Sequence, residues 1–153
     1  MTYVDTHRFT GAFVANKLDR LAGMIVEQGN ELLHDAGIAI PSRAVSLLLL
    51  VGEHGKLSAA DIAVTLGQPH QLLTQRIDAL VDLGVVERRG APADGRRRIL
   101  ALTAKGDAYY AKLQIILSEA ATAIDGLFEE IECNLSIFAM KAMHALGRAS
   151  ILD

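Results

Sequence analysis

Five arginine side chains fall within eleven residues of this chain: Arg88, Arg89, Arg96, Arg97 and Arg98. They make up a third of its 15 lysines and arginines, although the chain as a whole carries a net charge of −3. Guanidinium groups bind phosphate oxygens through several N–H donors at once. An acidic chain with one concentrated basic element can therefore bind a nucleic acid locally. The alternative is an ordinary charged hairpin that faces solvent.

The residues around the arginines predict a helix-turn-helix followed by a β-hairpin. Two short helical segments, "LSAADIAVTLG" and "QPHQLLTQRIDALVDLG", end at Gly67 and Gly84, and glycine is common at helix C-termini. Ser58 and Asp61 have the spacing of a capping box, and Pro69 suits a first helical turn. Two short helices with a tight glycine-containing turn between them form a helix-turn-helix. The extended segments "VVERR" and "RRRILALT" follow, and the turn-forming "GAPADG" joins them into a hairpin.

The second helix of this unit should bury one face and expose the other. Its predicted buried stripe consists of Leu73, Ile77, Leu80 and Val81. The opposite face then carries Gln71, Leu72, Gln75, Asp78 and Ala79. A glutamine amide offers a donor and an acceptor together, which matches the N6 and N7 edge of adenine, and leucine can contact a thymine methyl. A solvated polar face is the alternative interpretation.

Long helical segments flank this central unit. The first is expected over residues 7–36, with an apolar stripe that suits a partner helix or the chain's own core: Val14, Leu18, Leu21, Ile25 and Leu32. A short buried helix is expected at Ala44–His54, with Ser42 as its N-cap. Thr103 should cap a helix that Gly126 breaks, and the last helix should carry Leu127, Ile131, Leu135, Phe138 and Ala142. The acidic Phe128–Glu132 is then a first helical turn, where carboxylates suit the dipole.

Several classes of protein are not supported by this sequence. The single Cys133, expected to be a packed thiol in the last helix, excludes an intrachain disulfide and agrees with a reducing compartment. The longest apolar run, Leu47–Val51, is far shorter than a membrane span, and no secretory signal is recognised, so a cytoplasmic location is expected. The five histidines lack metal-ligand spacing. No catalytic or phosphate-loop motif is present, so we expect no enzyme activity, no cofactor and no metal.

The segment Leu57–Gly106 resembles the MarR (multiple antibiotic resistance regulator) family of winged helix-turn-helix transcription factors. The resemblance rests on the "ALxxLG" rhythm before "VVER", on "DGR" and on the closing "LALTAKG". It implies a mainly α fold with a small β-wing (α+β), in which long dimerisation helices flank the winged helix-turn-helix. The whole chain, residues 1–153, would be one such domain. Residues 40–103 would form the DNA-binding lobe, and residues 7–36 and 104–150 the dimerisation lobe.

The resemblance implies a homodimer on double-stranded DNA, with one helix per subunit in the major groove and the wings along the flanking minor grooves. The recognition-helix residues would be Pro69, His70, Gln71, Leu72, Thr74, Gln75 and Arg76. Thr74 and Arg76 are better suited to phosphate contacts than to bases. In the wing, Arg96 would enter the minor groove, Asp94 would hold the hairpin or orient Arg96, and phosphates would be contacted by Arg88, Arg89, Arg97 and Arg98. Asp78 faces the same side, so we expect a wing arginine to pair with it.

Dimerisation in such a protein would use Val14, Leu18 and Leu21 of the first long helix and Leu127, Ile131, Leu135 and Phe138 of the last helical run. A two-fold dimer places its half-sites about one helical turn, ~34 Å, apart on a pseudo-palindromic operator. The resemblance also implies a repressor that a small aromatic or anionic effector releases. The effector pocket would lie between the first long helix, the Ala44–His54 helix and the start of the helix after the wing. The net acidity and the Gln71–Gln75 face leave one alternative, a winged-helix module that binds another protein.

Overall fold

The computed structural model describes residues 1–55, 57–91 and 94–149, and for residues 91 and 94–97 it describes the backbone alone. The fold is mainly helical with one two-stranded antiparallel sheet, as the sequence predicts. In chain order the elements are α1 (Tyr3–Thr6), α2 (Val14–Asp35), α3 (Val45–His54), α4 (Ala59–Leu66), α5 (His70–Asp82), β1 (Val86–Ala91), β2 (Asp94–Leu102), α6 (Ala104–Glu130) and α7 (Leu135–Leu146). Short 3-10 turns at Thr10–Phe13 and Ser42–Ala44 precede α2 and α3.

The chain divides into two units, Met1–Leu113 and a second that begins at Gln114. The core of the first unit is built from α3, the helix-turn-helix, the base of the hairpin and the first turns of α6. Its fully buried side chains include Leu48, Val51, Ile62, Leu73, Leu80, Val85 and Leu113. The "LLLLV" run is therefore a buried helix, in agreement with the prediction from its composition. Within the described residues, no helix is both long enough and apolar enough to cross a bilayer.

The first long helix is shorter at its start than the predicted range 7–36. Thr2 and Asp5 form a capping box that folds Tyr3–Thr6 into a separate turn, and α2 begins only at Val14. The predicted N-cap role of Ser42 is also wrong. Its backbone N–H donates to Asn30 Oδ1 at 2.8 Å and its hydroxyl donates to Val26 O at 3.2 Å, so it ties the 3-10 turn to α2 instead.

Gly126 does not break the helix after the wing, because α6 continues through it to Glu130. One exposed glycine lowers helix stability by only about 1 kcal/mol relative to alanine. A continuous helix of 27 residues can tolerate this loss. The helix ends instead near Glu132, which has a left-handed φ of 51°, and Asn134 caps α7 by accepting from Ile137 N at 3.0 Å. Phe128–Glu130 is therefore the end of α6, and Ile131–Cys133 lies in the connecting turn.

The N-terminal turn contains a carboxyl group with a strongly shifted pKa. Hydrogen bonds from the backbone N–H and hydroxyl of Thr2, and then the Arg20 guanidinium at 3.2 Å, lower the pKa of Asp5 from 3.8 to about 2. Because the folded-state pKa lies below the unfolded one, the stabilisation is complete well above pH 3.8 and is lost as the pH falls towards 2.

We expect Arg20→Ala to raise the pKa of Asp5 only part of the way to its ordinary value, because Thr2 supplies the larger contributions. An NMR titration of the Asp5 carboxyl measures this directly. Thr2→Val, which removes only the hydroxyl donor, serves as the comparison. A complete return to the ordinary pKa in Arg20→Ala would show that the ion pair, and not the capping box, lowers the pKa of Asp5.

Candidate nucleic-acid interface

The helix-turn-helix is fixed by local chemistry at both ends of α4. Ser58 Oγ accepts from Asp61 N at 3.3 Å, while the Asp61 carboxylate accepts from Ser58 N at 2.9 Å, so the predicted capping box is present. Gly67 ends α4 with a left-handed φ of 59°, which glycine adopts without a Cβ clash. Pro69 then precedes α5 as its N-cap residue with extended backbone. The turn therefore places α5 directly against α4.

α5 buries one face and exposes the other as its spacing predicts. Leu73, Ile77 and Leu80 are buried in the core. Gln71, Leu72, Gln75 and Asp78 are exposed, and we call these four residues the α5 outer face. Leu72 is 39% exposed, so it adds an apolar contact beside two amide groups. The α5 outer face can thus offer donors, acceptors and a methyl contact to the edge of a base pair.

The remaining predicted recognition residues lie around the start of α5. Pro69 and His70 are exposed, whereas Thr74 and Arg76 are half-buried. The Thr74 hydroxyl donates to His70 O at 2.9 Å. The Arg76 guanidinium donates to Gln68 Oε1 at 2.6 Å and so joins the turn to the helix. Gln68 was not among the predicted site residues, because no periodic or motif signal connects two residues eight positions apart.

The hairpin forms a wing directly after α5. β1 and β2 pair antiparallel with Val86 opposite Leu102 and Arg89 opposite Ile99, and the register shifts between Gly90 and Ala91. Leu100 N donates to Leu57 O at 2.8 Å, which ties the wing to the chain two residues before α4. The sequence did not predict this isolated bridge between Leu57 and Leu100.

A second group of contacts holds the base of the wing to the end of α5. The Thr103 hydroxyl donates to Gly84 O at 2.6 Å and accepts from Gly106 N at 3.1 Å, so it also caps α6 as predicted. Lys105 Nζ donates to Leu83 O at 2.8 Å. The junction of α5, β1 and α6 is therefore a fixed corner, and the wing has a defined origin relative to α5.

Among the wing side chains that the structure describes, two arginines have acidic partners within the chain. Arg88 forms an ion pair with Asp78 of α5, which is the pairing expected from the sequence. Arg89 pairs with Glu87, and its Nε donates to Glu87 Oε1 at 2.7 Å. Arg98 is exposed opposite Gly90. The backbone of Asp94, Arg96 and Arg97 belongs to β2, but their side chains, and with them the predicted minor-groove contact, lie outside the described residues.

The predicted dimerisation residues occupy both units. In the first unit, Val14 and Leu18 are 56% and 59% exposed on α2, and Leu21 is half-buried. In the second unit, Phe138 is 67% exposed on α7, Leu127 and Leu135 are half-buried, and Ile131 is exposed in the connecting turn. No residue of α7 is buried within the single chain. Both units therefore present apolar side chains to their surroundings.

A shallow cavity of about 150 Å³ lies on the N-terminal part of the first unit. It is lined by Asp5, Lys17, Arg20, Leu21 and Met24. These residues come from α1 and α2, so this cavity includes none of α3, which was expected to form a wall of an effector pocket. In the described part of the chain, no three acidic, histidine or cysteine side chains converge as metal ligands.

Comparisons with known proteins agree with this geometry. The model of the MarR family matches residues 40–97, which include α3, the helix-turn-helix and most of the wing. None of the curated proteins matches the chain. Solved structures do match: the transcriptional repressor CouR bound to a 23-mer DNA duplex has a TM-score of 0.66 at 23% identity, covering 89% of this chain and 94% of that one.

Two further structures have the same fold. The MepR–DNA complex of S. aureus has a TM-score of 0.70 at 18% identity, covering 86% of this chain and 96% of that one. CouR from Rhodococcus jostii RHA1, bound to p-coumaroyl-CoA, has a TM-score of 0.58 at 22% identity, with coverages of 90% and 92%. The model of the MarR family therefore matches the winged helix-turn-helix segment of this chain, residues 40–97, and the chain has the fold of these solved structures.

Proposed function

We propose that this protein is a homodimeric transcriptional repressor that binds a pseudo-palindromic DNA operator and is released by a small aromatic or anionic effector. The observation that carries the proposal is the joining of α5 and the wing into one surface. Arg88 of β1 reaches Asp78 of α5, so the two exposed amides lie beside the arginine-bearing hairpin. Two of the solved structures with this fold, those of CouR and MepR named above, are DNA complexes.

The groove assignments follow from size and charge. A major groove admits an α-helix, and α5 with its exposed glutamines fits that role. A narrow minor groove attracts guanidinium groups through its enhanced negative potential, which suits the arginines of the wing. Arg98 remains exposed for phosphate contacts, and Pro69 and His70 lie at the start of α5, where a DNA backbone would pass. The proposed dimer then repeats this surface about one helical turn, ~34 Å, away.

The effector component is supported by one comparison. The CouR structure named above holds p-coumaroyl-CoA, an aromatic and anionic ligand. For the present chain we propose a ligand of the same general chemistry, bound near α2, α3 and the first turns of α6. Selection of bound duplexes with and without candidate phenolic acids tests this component, since an effector should reduce recovery of the preferred site.

DNA binding itself is tested by a salt titration with duplexes selected from a random pool. We expect one preferred site and an affinity that falls steeply with salt, because neutralised phosphates release counterions. Binding that shows neither site preference nor salt dependence would favour the alternative, a winged-helix module that binds another protein.

Replacing Gln75 by alanine is expected to change the preferred sequence rather than abolish binding. A bidentate contact from an amide to adenine contributes about 1–3 kcal/mol of discrimination against the wrong base, so the preference at one position of each half-site should relax. Selection from a random duplex pool measures this. Gln114→Ala, the same truncation at an exposed glutamine of α6, should leave the preference unchanged. An unchanged preferred site in Gln75→Ala would remove this residue from the reading surface.

A further inference from the structure

Asp78 is an acidic side chain on the surface that we propose faces DNA. It lies seven residues after Gln71 on α5, so it occupies the same side of the helix two turns further on. Its side chain is 52% exposed. The partner Arg88 comes from β1, and its side chain is 40% exposed. The pair therefore links the α5 outer face to the wing at the protein surface.

Each side chain of this pair would change the affinity for DNA if the other were absent. DNA carries one negative charge per ~1.7 Å of helix axis, so an unpaired carboxylate beside it would be repelled. An unpaired arginine would instead add a phosphate contact. A phosphate contact raises the affinity for every duplex, because it carries no sequence information. Pairing the two side chains cancels both effects.

We infer that Asp78 is a specificity-determining residue, which keeps the Arg88 guanidinium from the phosphates and so limits binding to unrelated DNA. This inference rests on the proposed function. The neighbouring arginine is engaged in the same way, since Arg89 donates to Glu87. Phosphate binding is thereby left to arginines elsewhere on the wing, while α5 contributes its two amides. The protein would then distinguish the operator from other sequences only through the proposed base contacts.

Salt titrations of Asp78→Asn on an unrelated duplex test the inference. Releasing one arginine should steepen the salt slope by about one unit. The ratio of variant to wild-type affinity should then grow about 3.5-fold when salt is lowered from ~200 to ~50 mM. Affinity for the selected site should rise less than affinity for unrelated DNA, so the ratio between them should fall. The variant should fold normally, because exposed ion pairs contribute little to stability.

The double variant Asp78→Asn/Arg88→Gln distinguishes two roles that Asp78 could have, namely masking the Arg88 guanidinium or orienting it towards a phosphate. If Asp78 masks Arg88, the double variant loses no phosphate contact and has the wild-type slope. If Asp78 merely orients Arg88 towards a phosphate, the slope falls by about one unit and the inference is wrong. Asp82→Asn is the matched control, because Asp82 is exposed four residues further along α5 and has no arginine partner among the described residues.

The outcomes also separate the inference from the proposed function. A wild-type protein that binds no duplex at any salt concentration would overturn both. A wild-type protein that binds with salt dependence, together with an unchanged slope in Asp78→Asn, would overturn the inference alone. The same slope change in Asp82→Asn as in Asp78→Asn would also overturn it, since a general charge effect would then explain the result.

Discussion

Leu18→Asp and Phe138→Asp are each expected to convert the proposed dimer into a monomer and to weaken operator binding by roughly 100-fold or more. Both side chains are more than half exposed in the single chain, so an aspartate is tolerated there when the subunit is alone. In a dimer the same aspartate would be buried without a partner, and burying an unpaired charge is strongly unfavourable. Because two linked half-sites bind far more tightly than one, loss of the dimer reduces affinity without any change on α5.

Sedimentation equilibrium measures the oligomeric state of these variants, and a titration with the selected operator measures their affinity. Val64→Asp is the matched control for the oligomeric state, because Val64 is 83% exposed on α4 and lies outside the proposed dimer surface. We expect it to leave the dimer intact. Dimers in both interface variants, or a monomeric wild-type protein, would contradict the dimerisation surface.

Gly106→Ala is expected to lower the free energy of unfolding by about 2–3 kcal/mol. A Cβ at this position would lie 2.1 Å from Val85 O and 3.2 Å from Leu102 Cβ. Backbone cannot move aside as a flexible side chain can, so α6 would have to shift away from the corner at β1. That corner also contains the Thr103 contacts, so the origin of the wing should be disturbed as well.

Thermal unfolding measures this prediction, with an expected decrease in Tm of roughly 5–10 °C. Gly126→Ala on the same helix is the control. A Cβ there meets no atom within 4 Å, and alanine is the better helix former by about 1 kcal/mol, so its Tm should rise slightly. Equal effects of the two substitutions would show that close packing at Gly106 is not what requires glycine.

The parts of the fold that local chemistry determines could be predicted from the sequence. Ser58 and Asp61 are three residues apart, so the spacing of their capping box can be recognised in the sequence. The same holds for Gly67 and Gly84, whose left-handed φ angles end two helices. Gly126 shows the limit of this reasoning. Whether a glycine ends a helix depends on how much helix continues beyond it, and here α6 continues to Glu130, two residues before the left-handed Glu132.

The candidate site also contains some features that the sequence predicts and others that it does not. The outward position of Gln71 and Gln75 follows from the buried stripe of one helix, and the pairing of Asp78 with a wing arginine follows from charge compensation. The contact between Arg76 and Gln68 needs the path of the turn, which no pattern of spacing provides. Which wing arginines are engaged within the chain likewise depends on side-chain reach, since Arg88 pairs with Asp78 of α5 and Arg89 with Glu87 of its own strand.

Hydroxyl-radical footprinting and methylation interference on a selected operator test the central claim most directly. We expect two major-groove interference sites about one helical turn, ~34 Å, apart, each flanked by protection of the adjacent minor groove. A single contact site, or protection confined to the phosphate backbone without base interference, would contradict a dimer that reads DNA through α5 and the wing.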